Sequence, residues 1–390
     1  MEPNPTDLNA VRRPIRHAHG LPNAHYVDDA IVAEENQAVL FNQWAGLAVA
    51  SDVPEIGDAV PMTFLDVPLL LVRAKSGAMR VFQNICRHRG MILVEEPRKI
   101  EGAIRCPYHS WCYSTEGKLV STPHVGGPGQ NTHEDIDRSL LGLIEVRSHV
   151  WRDVVWINLG GDAPEFEDVF ADLISRWADF DKPLYHGGSN SRIQLSVTCN
   201  WKLAVENFCE SYHLPWVHPG LNSYSRLEDH YNIEEPGKFS GQGTLVYRQI
   251  KAEDGSVFPD FPDVGEKWSD AAEYIAAYPN VLLGAQRDHA FAIVLVPEAK
   301  DKTVEHVHLY YAEPDTSEEM RMSNAVQWKG VFVEDIFVVE GMQRGRMGPG
   351  FDGGKFSPAM DGPTHCFHDW VAEKIQTYRD TKGQPAQAAE

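Results

Sequence analysis

Two short motifs, each pairing a cysteine with a histidine, are the first residues whose types and spacing favour metal chemistry. Cys86 and His88 form a C-x-H motif, and Cys106 and His109 form a C-x-x-H motif after 17 intervening residues. Thiolates combined with imidazoles are typical ligands of zinc or of an iron–sulfur cluster. Zinc motifs usually pair like with like, whereas mixed pairs fit a [2Fe–2S] cluster with two Cys on one iron and two His on the other. We interpret the four residues as cluster ligands, with zinc as the alternative.

A second set of candidate ligands lies near the middle of the chain. Residues 200–213 predict a helix capped by Asn200, on which Glu210 and His213 share a face. Pro215 breaks this helix, so the chain can turn and bring His218 beside His213. Two histidines with a carboxylate would suit a mononuclear Fe(II) site with open coordination positions. On spacing alone, the alternative that these histidines are polar surface residues stays open.

The first pair of motifs resembles a known signature. N-I-C-R-H-R-G at residues 84–90 and C-P-Y-H-S-W at residues 106–111 are similar to the Rieske motif of the Rieske non-haem iron oxygenases. Respiratory Rieske proteins carry a further cysteine in each loop, joined as a disulfide, and this chain has Met91 and Tyr108 there. The resemblance therefore implies a Rieske cluster that passes electrons to another metal.

The second set also resembles this family. E-N-F-C-E-S-Y-H at residues 206–213, followed by His218, is similar to the family's mononuclear iron motif. Residues 334–343 resemble the helix that supplies the third ligand, which implies Asp335, with Glu334 and Glu340 as rival carboxylates. The resemblance thus implies that His213, His218 and Asp335 hold the iron.

One position departs from the usual family pattern. The family usually has an aspartate that bridges histidines of neighbouring subunits, and this chain has Glu210 there. A glutamate at this position is known in a subgroup that includes oxygenases of carnitine-like quaternary ammonium compounds. The resemblance implies that Glu210 links a Rieske histidine to His213 and orients both. Asn207, one turn earlier, is expected to line the same route.

Local patterns predict the elements that must position these residues. Residues 69–73 and 79–82 flank a Lys-Ser-Gly turn and predict a β-hairpin. Apolar residues recur along 163–180 at the spacing of an amphipathic helix. Further strands are predicted at 193–198, 290–296 and 303–311, and further helices at 201–212 and 318–344. Residues 219–279, rich in Gly, Pro and Asp, are expected to be irregular and to form a lid or pocket wall.

The succession of strand-rich and mixed segments predicts an α+β protein. We expect an N-terminal segment at 1–38 that packs on the catalytic domain, a β-rich Rieske [2Fe–2S] domain at 39–160, and a catalytic mononuclear iron domain at 161–390. The family resemblance implies that the catalytic domain is an antiparallel sheet wrapped around a long helix, a helix-grip-like arrangement.

Composition excludes several classes of protein. The 390 residues carry a net charge of −21, which disfavours nucleic acid as a partner. No apolar run is long enough to cross a bilayer, and residues 1–9 lack the apolar core of a signal peptide, so we expect a cytoplasmic protein without membrane contact. The 6 cysteines are too sparse for a disulfide scaffold and are expected to be thiols or metal ligands.

The resemblance also implies partners. Members of this family form head-to-tail homotrimers, use O₂, and receive electrons from NAD(P)H through a separate flavin- and iron–sulfur-containing reductase or a ferredoxin. The G-x-G-x-x-G string at residues 348–353 contains Pro349 and follows a predicted helix. It therefore lacks the strand–turn–helix context of a dinucleotide site, and we expect NAD(P)H to act only through the reductase.

The substrate is the least determined feature. Glu210 and the supply of aromatic residues favour a quaternary ammonium or N-methyl compound, which would undergo N-demethylation or C–N cleavage. The candidate cation-binding aromatics are Trp216, Tyr224, Tyr231 and Phe291. The alternative is hydroxylation of an aromatic ring or aromatic acid, with Arg226, Arg248 or Arg287 binding a carboxylate. A more remote alternative is a Rieske electron carrier without catalysis.

Overall fold

The chain forms two compact units in the computed structural model, which describes residues 8–249, 251, 255–351 and 353–382. One unit spans residues 47–162, and the other combines the residues up to 46 with those from 163 onward. The predicted N-terminal segment therefore begins, at residues 1–7, outside the described part. Residue 352, in the predicted loop at 348–353, also lies outside the described part. Residues 348–351 of that loop form turns and irregular backbone after a helix.

The first unit is built from β-strands. Its main sheet has seven strands in the order β1-β10-β9-β4-β3-β2-β5, and β6-β7-β8 form a smaller sheet. The strands are β1 (Ala45–Val49), β2 (Asp58–Phe64), β3 (Val67–Arg73), β4 (Met79–Gln83), β5 (Arg98–Lys99), β6 (Ile104–Arg105), β7 (Cys112–Tyr113), β8 (Leu119–Ser121), β9 (Glu145–Trp151) and β10 (Val154–Asn158). The predicted hairpin is present as β3 and β4, with Leu70 opposite Phe82 in the core.

The second unit contains an eight-stranded antiparallel sheet. Its order is β11-β18-β17-β16-β15-β14-β13, with β12 also paired to β18. The strands are β11 (Tyr185–His186), β12 (Arg192–Val197), β13 (His230–Glu235), β14 (Phe239–Thr244), β15 (Ala272–Ala277), β16 (Val281–Ala285), β17 (His289–Ala299) and β18 (Lys302–Tyr311). The three strands predicted at 193–198, 290–296 and 303–311 are β12, β17 and β18.

The α-helices all belong to the second unit. They are α1 (Ala24–Val27), α2 (Asp29–Asn36), α3 (Phe166–Val169), α4 (Ala171–Arg176), α5 (Trp201–Cys209), α6 (Leu214–Val217), α7 (Pro219–Asn222), α8 (Glu318–Gly345) and α9 (Gly362–Lys382). The long α8 packs against β12 and α5, and α5 also packs against α9. The predicted α+β architecture is confirmed. Within the described ranges, no helix is both long enough and apolar enough to cross a bilayer.

Two local predictions were wrong in detail. The amphipathic helix predicted at 163–180 is divided into α3 and α4, because Phe170 between them has non-helical backbone angles. The region 219–279 contains three strands, β13, β14 and β15, rather than only irregular chain. Strand β14 lacks the sequence pattern of a strand because two of its residues are glycine. A Cβ at Gly241 would lie 2.0 Å from the carbonyl oxygen of Tyr274, and one at Gly243 would lie 2.2 Å from the Tyr231 ring. Close packing therefore requires glycine where a strand pattern needs apolar side chains.

Candidate metal centres and substrate cavity

The two Cys/His motifs form loops of the same backbone shape. In each loop the cysteine N–H donates to the carbonyl five residues later, at 2.8 Å from Cys86 and 2.8 Å from Cys106. The residue four positions after each cysteine, Gly90 or Ser110, donates back to the cysteine carbonyl at 3.0 Å. Both of these residues have positive φ, 71° and 57°. The loops are therefore tight turns that present their cysteine and histidine side chains in equivalent ways.

Burial divides the four candidate ligands by type. Cys86 and Cys106 are 2% and 1% exposed, whereas His88 and His109 are exposed and their ring centroids lie 4.7 Å apart. Trp111 is buried and stacks on His88 at 4.8 Å. Two buried thiols and two adjacent surface imidazoles fit a cluster whose thiolate-bound iron lies inside and whose histidine-bound iron faces outward.

A tyrosine supports the buried side of this site. The Tyr113 hydroxyl lies 3.2 Å from Cys86 Sγ and accepts a hydrogen bond from the Arg87 N–H at 3.0 Å. Burial, and next the contact with Cys86, raise the pKa of Tyr113 above its usual value, so the phenol stays protonated. Its O–H is therefore available to donate to the thiolate, an interaction that stabilises added negative charge on a cluster.

The second set of candidate ligands converges in the catalytic unit. One ligand atom each from His213, His218 and Asp335 lies within 4.8 Å of the others. The Nε2 atoms of His213 and His218 lie 3.6 Å and 3.0 Å from Asp335 Oδ1. Two imidazoles and one carboxylate are the donor set of non-haem Fe(II) sites, so the residues fit this metal. The structure brings together the three residues that the sequence resemblance implied.

Each of the two histidines contacts a further carboxylate through its Nδ1 atom. His213 Nδ1 lies 2.6 Å from Glu210 Oε1, and His218 Nδ1 lies 2.8 Å from Glu334 Oε2. Because a carboxylate accepts only, both Nδ1 atoms carry a proton, so the Nε2 atoms, which face Asp335, are the nitrogens that would bind a metal. Glu334, a rival of Asp335 in the sequence, thus contacts the opposite side of the imidazole. No local signal indicates this role, because the contact joins residues 116 positions apart.

The loop that carries His213 differs from the predicted helix. Helix α5 ends at Cys209, and Glu210 adopts extended backbone angles. The Glu210 carboxylate then accepts hydrogen bonds from the backbone N–H groups of Tyr212 and His213. The helix therefore ends at the extended backbone of Glu210, whose carboxylate caps the following turn, and not at Pro215, which lies in the first turn of α6. Glu210 and His213 consequently meet through a turn and not along a helix face.

Electrostatics around this centre reflect its concentration of carboxylates. Burial lowers the pKa of His218, but the hydrogen bonds that its ring donates to Asp335 and Glu334, together with the charges of these carboxylates, outweigh burial and raise the pKa overall. Burial, together with the charge of Asp335, raises the pKa of Glu305 on β18 to about 8. Glu305 is therefore mostly neutral near pH 7, which limits the negative charge close to the centre.

A cavity of about 560 Å³ opens beside the three candidate ligands. Its wall combines five aromatic side chains with aliphatic and polar ones, which include Asn207. The aromatic lining residues are Phe208, Tyr274, Phe291, Trp328 and Phe332. Trp328 lies 4.7 Å from Phe291 and stacks on Phe332 at 5.4 Å between ring centroids. Two of these aromatic side chains could have been found from the sequence, because Trp328 and Phe332 fall on the same face of α8 as Asp335 at helical spacing.

A second cavity of about 500 Å³ shares part of this wall, including Tyr274 and Trp328. Of the predicted cation-binding aromatics, Phe291 lines the first cavity and Tyr224 lines the second. The other two line neither cavity: the Trp216 side chain is 70% exposed, and the Tyr231 hydroxyl donates to Glu273 at 2.9 Å.

The predicted carboxylate-binding arginines are also separated. Arg248 lines the second cavity, with its guanidinium 5.6 Å from the centroid of the Tyr224 ring. Arg287 is instead paired with Asp260, and Arg226 is exposed and lines neither cavity. Arg248 is therefore the arginine of the three that can reach a molecule in this region.

Two protein-family models match the chain. Residues 43–134 match the Rieske [2Fe-2S] domain, and residues 176–377 match the ring hydroxylating alpha subunit (catalytic domain). The matches support a Rieske cluster in the first unit and a mononuclear iron in the second.

Curated relatives and solved structures agree with the two family matches. The chain is 25% identical over 338 residues to a carnitine monooxygenase oxygenase subunit of Escherichia coli (strain K12), covering 85% of this chain and 86% of the relative. It is 29% identical over 232 residues to a glycine betaine monooxygenase oxygenase subunit of Chromohalobacter salexigens, covering 59% and 50%. A solved quaternary ammonium Rieske monooxygenase shares the fold at a TM-score of 0.76 and 20% identity, covering 95% of this chain and 99% of that one. The chain therefore belongs to the ring-hydroxylating alpha-subunit family and is the alpha subunit of a Rieske oxygenase, an oxidoreductase.

Proposed function

We propose that the chain is a terminal oxygenase component that uses O₂ to oxidise a quaternary ammonium or N-methyl compound by N-demethylation or C–N cleavage. The observation that carries this proposal is the aromatic cavity ending at His213, His218 and Asp335. Aromatic faces attract quaternary ammonium groups, and the curated relatives are named for carnitine and glycine betaine. Electrons would come from NAD(P)H through a separate flavin- and iron–sulfur-containing reductase or a ferredoxin.

The chain's own residues divide the work. Cys86, His88, Cys106 and His109 would hold the cluster, and His213, His218 and Asp335 would hold Fe(II). When bound, the two metal centres supply the electrons and the coordination site with which O₂ is reduced and the substrate oxygenated. Glu210 and Glu334 orient the two imidazoles and keep their protons on Nδ1.

The cavity wall positions the substrate. Phe291 and Phe332 are 2% and 7% exposed and form, with Trp328, a rigid apolar surface that excludes water from the reacting methyl group. Asn207, which is 8% exposed, offers a polar amide at the same cavity. We propose that Asn207 orients the polar end of the substrate or a water beside Glu210.

Self-association is part of the proposal. Helix α8 presents an exposed apolar stripe of Met322, Val326, Val333 and Phe337, whose side chains are 50%, 69%, 44% and 67% exposed. Such a patch on a protein surface usually marks an interaction site. We infer that it contributes to the head-to-tail homotrimer expected for this family. The measured mass of the holoprotein in solution tests this, and a monomer at micromolar concentration would contradict it.

A single-turnover experiment tests the activity without a reductase. The holoprotein is reduced chemically, freed of reductant, and mixed with O₂ and a panel of N-methylated cations and aromatic acids. We expect a methylated cation to accelerate cluster reoxidation and to yield formaldehyde or the cleaved amine. The His213→Ala variant serves as the matched control, since it should keep the cluster but form no product. Hydroxylated arene without cation turnover would contradict the proposed substrate class.

One observation favours a second candidate function, hydroxylation of an aromatic acid. Arg248 lines the second cavity and makes no salt bridge with a carboxylate within the described ranges, so its guanidinium can bind a substrate carboxylate. In the same panel, turnover of an aromatic acid that is lost in Arg248→Gln would support this function. Turnover confined to cations lacking a carboxylate would reject it.

A further inference from the structure

A buried carboxylate lies directly behind the wall shared by the two cavities. Asp288 and His289 are each 0% exposed. Asp288 Oδ1 lies 2.8 Å from His289 Nδ1 and 2.7 Å from the Tyr247 hydroxyl. His289 Nε2 lies 2.8 Å from Trp328 Nε1. The chain of contacts therefore runs from the aromatic wall, through an imidazole, to one oxygen of a carboxylate.

The positions of the protons follow from the donors. An indole N–H can only donate, so His289 Nε2 accepts from Trp328 and carries no proton. His289 is then neutral, with its proton on Nδ1, which donates to Asp288. Burial, and next the Asp288 charge, raise the pKa of Tyr247 well above its usual value, so its hydroxyl also donates. Asp288 thus receives two hydrogen bonds at Oδ1.

Among the residues that the structure describes, this carboxylate has no direct salt bridge to a lysine or arginine, and the nearest cationic influence is the charge of Arg287. The Oδ2 atom of Asp288 is buried without a hydrogen-bond partner among these residues. The adjacent Arg287 pairs with Asp260 and donates to the carbonyl of Ser269. A buried carboxylate without a direct ion pair is unfavourable, and Arg287 compensates this one only partly because its guanidinium is paired with Asp260. The presence of the buried carboxylate is explained if a cation occupies the neighbouring space when substrate is bound.

A head group whose carbon reacts beside His213 and His218 lies in the first cavity, where it can contact Trp328, which lines both cavities. Tyr247, His289 and Trp328 line the second cavity, so Asp288 lies behind the wall that the two cavities share. Hydrogen bonds from Tyr247 and, through His289, from Trp328 shift electron density onto both aromatic rings and strengthen their attraction for a cation. Arg248 also lines the second cavity and would repel a cation, but its side chain is exposed, so solvent screens its charge. Asp288 is fully buried, so solvent screens its charge much less.

We propose that Asp288 is the counter-charge for the cationic head group of the substrate and acts through Tyr247, His289 and Trp328 as a specificity-determining residue. The inference rests on the proposed function, because it specifies how a quaternary ammonium group is recognised. It makes a prediction that the proposed function alone does not make, namely that a positive charge and not only the shape of the trimethyl group is selected.

Matched ligand pairs test the proposal by binding rather than turnover. Carnitine, glycine betaine and choline are each compared with the tert-butyl isostere in which carbon replaces the nitrogen. Dissociation constants are measured calorimetrically with the anaerobic holoprotein. We expect the wild-type protein to prefer a cation over its isostere, and Asp288→Asn to reduce this preference about tenfold, with binding of the isostere nearly unchanged. A structural defect would weaken both members of a pair equally and would overturn the proposal.

Further variants keep the test decisive if Asp288→Asn does not fold. Tyr247→Phe and Trp328→Phe keep an aromatic ring but remove one hydrogen-bond donor each, and both should reduce the preference for the cation. Asp369→Asn removes the same charge at a partly exposed position, where Asp369 pairs with Arg12, and should leave the preference unchanged. A wild-type protein that binds none of the cations, or that binds cation and isostere equally, would overturn the proposal. If formaldehyde is still released from a cation, the proposed function survives that result.

Discussion

Glu210 Oε1 lies 2.6 Å from Nδ1 of His213, three residues along the chain. The same carboxylate accepts hydrogen bonds from the backbone of its own turn. Gln242 Nε2 in turn donates to the Glu210 carbonyl at 3.1 Å, which anchors the turn to β14. One side chain therefore sets both the backbone of the turn and the orientation of an imidazole at the candidate iron site.

We predict that Glu210→Gln retains both metals but slows electron delivery. The amide is nearly isosteric and can still accept from His213 Nδ1, but it removes the charge expected to bridge the two centres. Loss of a carboxylate that hydrogen-bonds a metal-binding histidine typically reduces activity 10- to 100-fold. The rate of cluster reoxidation by O₂ and substrate measures the effect, with metal contents determined in parallel. An unchanged rate would reject the bridging role.

We predict that His213→Ala and Asp335→Ala lose the mononuclear iron and keep the cluster. The two sites draw on separate residues, so the visible spectrum of the cluster should persist while iron content falls by one atom per chain. Glu334→Gln should bind iron roughly 10- to 100-fold more weakly, because Glu334 only orients His218. The control is Glu340→Gln, since Glu340 accepts from the Thr198 N–H at 3.0 Å. Iron loss in that control with iron retained in Asp335→Ala would show that the third ligand is wrongly assigned.

We predict that Tyr113→Phe lowers the reduction potential of the cluster. The lost hydroxyl no longer donates to Cys86 Sγ, so the reduced, more negative state is less stabilised. A decrease of tens of millivolts is expected in a spectroelectrochemical titration. Tyr108→Phe is the matched control, because the Tyr108 side chain is 55% exposed and its hydroxyl only accepts from Arg89. Equal potentials in both variants and the wild type would contradict the assigned hydrogen bond.

We predict that Glu35→Gln destabilises the catalytic unit by about 3 kcal/mol, because it leaves a buried lysine without its counter-charge. Glu35 pairs with Lys202 on α5 and with His25, and all three side chains are 0% exposed. Denaturant unfolding measures the change. The neighbouring Glu34 pairs with Arg379 at 30–32% exposure, so Glu34→Gln should cost at most about 1 kcal/mol. Similar effects of the two substitutions would show that α5 is not anchored through Glu35.

The parts of the protein that could be predicted are those with short-range causes. The pairs Cys86–His88 and Cys106–His109 each lie within one loop, so their spacing alone indicates a shared metal. Hairpin β3–β4 follows from strand residues on either side of a turn. The family resemblance and the α+β fold are confirmed, whereas the site assignments stay predictions. The end of α5 at Cys209 was missed because Glu210 adopts an extended backbone and its carboxylate caps the next turn, which no sequence pattern indicates.

The sequence by itself determined the two sets of metal-binding residue types, the α+β class and the family. Only the tertiary structure decided that Glu334 supports His218, that Trp328 forms a wall between two cavities, and that Asp288 lies behind it. The physical reason is separation along the chain. Residues 218 and 334, or 289 and 328, meet only because helix α8 packs beside the sheet and the α5–α7 segment, and no periodicity or motif records a contact between distant elements.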